Sequence, residues 1–152
     1  MKLPYAEGAV FVLPLRNGGY ARGIAARVGP RGKAVLGYFF GPRLRTSSEA
    51  TLDGLDPEKA CLRIIFGDLG LINGEWKVIG AIPNWDRARW PMPDFVRRDP
   101  LGRRKPIVVR YSEDDPLRMA SEYAVDADPG LATDSAYGYG AVEIELGKLL
   151  AR

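Results

Sequence analysis

A mainly β fold is predicted: a single small, strongly bent antiparallel sheet or partly open barrel, with one short C-terminal helix and one long Pro/Trp/Arg-rich loop. Three observations predict it. Short runs of Val, Ile, Leu and aromatic residues recur along the chain. The 18 glycines and 12 prolines fall largely between those runs, as expected where strands are joined by tight connections. A chain of 152 residues, 46% apolar, suffices for one domain spanning 1–152 that buries roughly 70% of its unfolded surface.

The opening stretch from Gly8 to Phe40 predicts three strands. Ala9–Leu15 places Phe11, Leu13 and Leu15 on one face and Val10 and Val12 on the other, a pattern for a strand buried on one face and half covered on the other. Asn17, Gly18 and Gly19 supply the positive φ of a hairpin turn. Tyr20–Val28 follows and ends at Gly29, Pro30, Arg31 and Gly32. The third strand, Lys33–Phe40, closes at Gly41 and Pro42.

Asp56, Pro57 and Glu58 form a cap followed by the favoured first helical position, which predicts one helical turn within an otherwise irregular Ser47–Ala60. Leu62, Ile64 and Phe66 alternate as a fourth strand, with Cys61 read as a small buried residue at its start. Gly67, Asp68 and Gly70 break that strand. After Asn73–Gly74, Trp76–Ile82 predicts a fifth, with Trp76, Val78, Gly80 and Ile82 on one side and Trp76 in the core.

Residues 83–106 differ in kind, with five prolines, Trp85, Trp90, Phe95, several arginines and Lys105. No period of two or 3.6 runs through them, and Pro91 and Pro93 interrupt any ladder. A loop of this length in a compact domain is frequently functional. Ile107, Val109 and Tyr111 restart a strand, and Leu117–Val125 predicts another. After a turn region from Asp128 to Gly140, Val142, Leu146, Leu149 and Leu150 take helical spacing in Ala141–Ala151. Glu143 and Lys148 carry the signs that suit the dipole of this helix.

Composition excludes several chemistries. Histidine is absent and Cys61 is the only cysteine, so an intramolecular disulfide, a Cys/His zinc set and a histidine base are ruled out. No residue is assigned to catalysis, a metal or a cofactor. Asp68 and Glu75 flank a turn, but no nucleophile or phosphate loop accompanies them. No apolar run approaches a membrane span, and the N-terminus lacks an apolar signal region, so the chain is expected in the cytoplasm without membrane contact.

Charge is divided unevenly. Residues 1–110 hold 19 Lys/Arg against 10 Asp/Glu, and residues 111–152 hold 3 against 9, that is +9 and −6, summing to the net +3. Such a division serves either an anionic partner or an acidic segment folded back over a basic one.

The stretches GAVFVLPLRNGGYARGIAARV, FGDLGLINGEWKVIGAIP and YGYGAVEIELGKLL resemble the immunity protein 26 family of bacterial polymorphic-toxin systems. Gly8, Phe11, Pro14, Leu15, Gly18, Tyr20 and Gly23 correspond to its opening pattern, and Gly74, Trp76, Gly80 and Pro83 to its second. The resemblance implies an all-β, non-enzymatic cytoplasmic protein that neutralises a cognate toxin by binding it. The matching positions are fold determinants and carry no toxin identity.

Candidate partner contacts are Trp85, Arg87, Arg89, Trp90, Phe95, Arg97 and Arg98 in the long loop, with Glu113, Asp114 and Asp115 in the acidic turn. Trp and Arg are enriched at interface hot spots, and an acidic turn suits fast capture of a basic toxin. For Trp85 and Trp90 the other reading is a pin that holds the loop to the sheet. Arg97, Arg98, Arg103, Arg104 and Lys105 form the densest basic cluster, either a solvated face or a contact for acids or phosphates. The alternative function is a nucleic-acid-binding module that stacks bases on the aromatics of 84–106.

Overall fold

The computed structural model describes residues 2–151. Its strands are β1 (Ala9–Pro14), β2 (Tyr20–Val28), β3 (Ala34–Leu44), β4 (Leu62–Gly67), β5 (Lys77–Ala81), β6 (Phe95–Arg97), β7 (Ile107–Tyr111), β8 (Met119–Ala124) and β9 (Ala136–Tyr137). A one-turn helix α1 (Leu69–Ile72) follows β4, and helix α2 (Tyr139–Leu149) ends the fold. The strands form a six-stranded sheet in the order β5-β1-β2-β3-β4-β9 and a three-stranded sheet in the order β6-β7-β8. The expected single sheet is therefore two, and no barrel closes among the described residues.

The reason lies in burial. The six-stranded sheet is covered on both faces, not on one face and half of the other. Phe11, Leu13, Phe39, Phe66 and Trp76 build one core with Val142 and Leu146 of α2. Val10, Ile24, Leu36, Tyr38 and Phe40 build a second, closed by Trp90, Met92 and Phe95. The second face is covered by the long loop and the smaller sheet, so the large sheet need not curl upon itself to hide it.

The opening meander forms as its alternation dictates, with Val10 opposite Ile24 and Leu13 opposite Ala21. Gly18 and Gly19 take φ of 101° and 78° in the connecting turn. Three boundaries move. β3 does not stop at Gly41–Pro42 but continues through that cis peptide bond to Leu44, which pairs with Tyr20. Phe95–Arg97, expected as loop, is a strand that begins just beyond Pro93 and pairs with Ile107–Val109. Ala136 and Tyr137, expected as turn, pair in parallel with Ile65 and Phe66.

Bulges alter which way side chains point. Between β1 and β5 the register shifts, so that Val10 faces Gly80 while Phe11 faces Val78. Beyond the shift Ile79 and Ile82 pack on the second core while Val78 packs on the first. Gly80 and Ile82 thus part company with Trp76 and Val78, because one extra residue reverses the alternation. Cys61 is exposed, not buried, since it precedes the ladder of β4 and sits at its open end. The one-turn helix expected at Pro57 is present as a 3-10 turn, Pro57–Lys59.

Trp76 anchors the first core. It stacks on Phe11 at 5.4 Å and meets Phe39 and Phe66 at 6.1 and 5.1 Å, arrangements that add about 0.5–1.5 kcal/mol per pair beyond burial. Its indole Nε1 donates to Glu143 Oε2 at 2.8 Å, and Arg16 Nε donates to Glu143 Oε1 at 2.7 Å. Glu143 lies beyond the first turn of α2 and is buried. It docks the helix by these two bonds, in place of the dipole role its charge suggests. No helix among the described residues is long and apolar enough to cross a membrane.

Glu143→Ala should lower stability by about 1–3 kcal/mol, the cost of a buried donor left without its acceptor. A urea titration should show an earlier midpoint with an unchanged slope.

Candidate functional site

The long loop is pinned before it reaches the surface. Asp86 accepts from Ala88 N at 3.2 Å and starts a 3-10 turn, Arg87–Arg89. Trp85 stacks on Trp90 at 5.4 Å, and its Nε1 donates to Glu7 Oε2 at 2.8 Å. Trp90 is only 1% exposed and sits edge-on to Tyr38 at 5.0 Å. The Tyr38 hydroxyl donates to Pro91 O at 2.6 Å. The tryptophan pair therefore pins the loop to the sheet, with Trp90 buried and Trp85 half-buried.

Arg27 fastens the loop a second time. Strict alternation along β2 would send Arg27 to the first core, but the ladder with β3 shifts between Ala25 and Arg27. The bulge turns the side chain to the other face. There, 3% exposed, it donates from Nε to Glu113 Oε1 at 2.8 Å and from its terminal nitrogens to Ala26 O and Arg87 O at 2.6 and 2.9 Å. Glu113 also accepts from Met92 N at 3.1 Å. Arg87 donates to Glu113 O at 2.9 Å and lies 3.3 Å from Glu7 and 3.5 Å from Asp114. One acidic turn, one buried guanidinium and one loop are thus a single assembly.

At the small sheet the acidic C-terminal part folds back over the basic body. Arg97 meets Glu122 and Asp134, each at 3.3 Å. Arg98 reaches Asp128 at 2.6 Å, Thr133 Oγ1 at 3.0 Å and Leu131 O at 2.7 Å. Lys105 meets Asp126 at 2.9 Å, and Arg110 meets Asp94 at 2.8 Å. The hydrogen bond from Arg98, aided by Gly130 N, holds the Asp128 carboxyl down to about 2. Burial, and then the bond to Asp134, pushes the Tyr111 hydroxyl up to about 12.

Arg97, Arg98, Asp99, Arg103, Arg104 and Lys105 line an open cleft of about 650 Å³. Asp99 shapes it, accepting from the backbone N–H groups of Leu101, Arg103 and Arg104 at 3.0, 3.1 and 3.1 Å.

Of the ten predicted contacts, Arg87, Arg89, Arg97, Glu113 and Asp114 are exposed, and Trp85, Arg98 and Asp115 are half-buried. Trp90 and Phe95 are each 1% exposed and lie inside the second core. As direct contacts they are corrected, because their rings are spent on covering the large sheet. The bases of a nucleic acid would find no stacking platform there. The ten do not form one patch held by a common bond network. Arg87, Glu113 and Asp114 cluster about Arg27, whereas Arg97 and Arg98 belong to the small sheet. Sequence reasoning missed Arg27 and Glu7. An arginine inside an apolar run is the one signal that marks Arg27.

The carboxylates expected to flank a turn do not converge. Asp68 accepts from the Tyr5 hydroxyl at 2.7 Å and from Lys33 N at 3.0 Å, while Glu75 bonds within its own turn to Asn73. Among the described residues no three His, Cys, Asp or Glu side chains gather where a metal would need them.

Fold and surface together define a two-sheet β protein whose long loop is locked from beneath and whose outer face is dense in paired charges. The model of the family Immunity protein 26 matches residues 6–106, and the chain belongs to that family. The match takes in β1 to β6 and the long loop, while β7, β8, β9 and α2, with the late stretch YGYGAVEIELGKLL, lie outside it. No curated protein and no solved structure matches the chain.

Two outcomes are expected. Glu113→Ala should cost about 3–5 kcal/mol, because it strands the buried Arg27 charge, and speed amide exchange at Met92 while leaving β1 protected. The Asp128 carboxyl titrates below its unfolded value, so its contact with Arg98 is complete above a pH of about 4 and is lost as pH falls through about 2. Arg98→Ala should raise that midpoint toward about 3.9, read by carboxyl NMR.

Proposed function

We propose that this chain is a non-enzymatic immunity protein that binds a cognate bacterial toxin and neutralises it at equal stoichiometry, as one domain acting in the cytoplasm. Membership of the Immunity protein 26 family over residues 6–106 carries the reading. The pinned loop supports it, because a surface held rigid before encounter loses little entropy on binding.

The proposed contacts are the exposed and half-buried charges that this scaffold holds: Arg87 and Arg89 with Glu113, Asp114 and Asp115, and Arg97 and Arg98 on the small sheet. Trp85, Trp90 and Phe95 serve from beneath by keeping those groups in place, and the bond of Glu113 to Arg27 holds the acidic turn to the large sheet. The reading requires no bond to be made or broken.

The test uses the toxin domain encoded beside this gene. Co-expression should restore growth, and the purified protein at an equimolar ratio should abolish the toxin's activity. Persistent killing with the protein expressed and folded would sink the proposal.

A further inference from the structure

The cations of the small sheet are not alike. Arg97, Arg98 and Lys105 each have a carboxylate within 3.3 Å. Arg103 and Arg104, on the same cleft, have none within salt-bridge distance among the described residues. Both are exposed. Their backbone is nonetheless ordered, because Asp99 accepts both of their N–H groups and that of Leu101, and Gly102 takes the positive φ of 67° that the turn requires. Two uncompensated guanidiniums thus project from a held turn beside an open cleft of about 650 Å³.

We propose that the Arg103–Arg104 turn docks on an acidic patch of the toxin. This rests on the reading of the chain as a toxin-binding immunity protein. The planar guanidinium forks of these residues are suited to carboxylates, which they engage two bonds at a time. A protein partner is favoured over a nucleic acid for two reasons. Acids stand around an adjoining cleft that Arg103 and Arg104 also line, where Asp126, 94% exposed on its side chain, and Asp128 belong to the lining. Interleaved signs repel a continuous phosphate chain but complement a protein surface of mixed charge. Trp85, Trp90 and Phe95, the aromatics that a single strand would stack on, are occupied elsewhere. The turn also lies within the matched residues 6–106, whereas the acids that neutralise its neighbours, from Glu122 to Asp134, lie outside them. The two free cations are thus the part of this face that the rest of the chain leaves available.

The experiment measures binding of the full chain to an inactivated form of the toxin domain encoded beside this gene. Wild type, R103E/R104E and the control K77E, on β5 of the other sheet, are compared at about 50 mM and about 500 mM salt. The double variant is expected to weaken binding about 30-fold at low salt, chiefly through a slower on-rate, and less than about 3-fold at high salt. K77E should bind as wild type does, and all three should melt alike. Equal affinity of R103E/R104E and wild type would overturn the docking site while leaving the toxin reading intact. A wild type that fails to bind the toxin at either salt would overturn both. Tighter binding of a 20-nucleotide single strand than of the toxin, lost in the double variant, would overturn the assignment to a protein partner.

Discussion

The guanidinium of Arg27 constrains the rest of the molecule. It is buried beneath the long loop, on the sheet face where Trp90, Met92 and Phe95 also pack. A buried charge without a partner costs several kcal/mol. The bond to Glu113 at 2.8 Å and those to the carbonyls of Ala26 and Arg87 meet that cost. Glu113 stands just past the end of β7, so the small sheet cannot leave the large one without stranding the charge. Arg87 and Met92 are tied through the same two side chains, so the loop cannot leave either. A bulge in β2, the loop and the acidic turn depend on one another.

That dependence explains how a segment with five prolines presents a defined surface. The tryptophan pair, the Tyr38–Pro91 bond and the Arg27–Glu113 bond fix its inner side. Its outer side is then free to vary in charge without disturbing the core. Most of those charges pair with the acidic C-terminal part, so the +9 and −6 of the two portions of the chain cancel largely within the molecule. Exposed pairs of this kind add little to stability one by one. Their consequence is a face of mixed sign, which selects among partners more than it strengthens the fold.

Much of the architecture was legible in the chain. Alternation of Phe11, Leu13 and Leu15 against Val10 and Val12, with glycines at the turn, marks the meander because a side-chain period of two and a positive φ are local properties. The same holds for Leu62–Phe66, for Ile107–Tyr111, and for α2, whose Val142 and Leu146 keep helical spacing. Other features gave no local signal. Phe95–Arg97 and Ala136–Tyr137 are strands only because a partner lies beside them, at Ile107–Val109 and Ile65–Phe66. The two bulges leave no trace in composition, yet they decide where Arg27 and Ile82 point. Of the candidate contacts, Arg87, Arg89, Arg97, Glu113 and Asp114 lie exposed and Arg98 and Asp115 half-buried, while Trp90 and Phe95 could not be separated from surface aromatics until the packing was known.

From its residues alone the chain determined a β fold with a C-terminal helix, a histidine-free composition with one cysteine, and a family resemblance carried by turn glycines and core apolar positions. These follow from steric and hydrophobic preferences that act over a few residues. Only the tertiary structure decided that there are two sheets, that the loop is held from within, and which cations stay uncompensated. Each of those outcomes depends on groups that are distant in the chain and become neighbours only when both faces of the large sheet are covered.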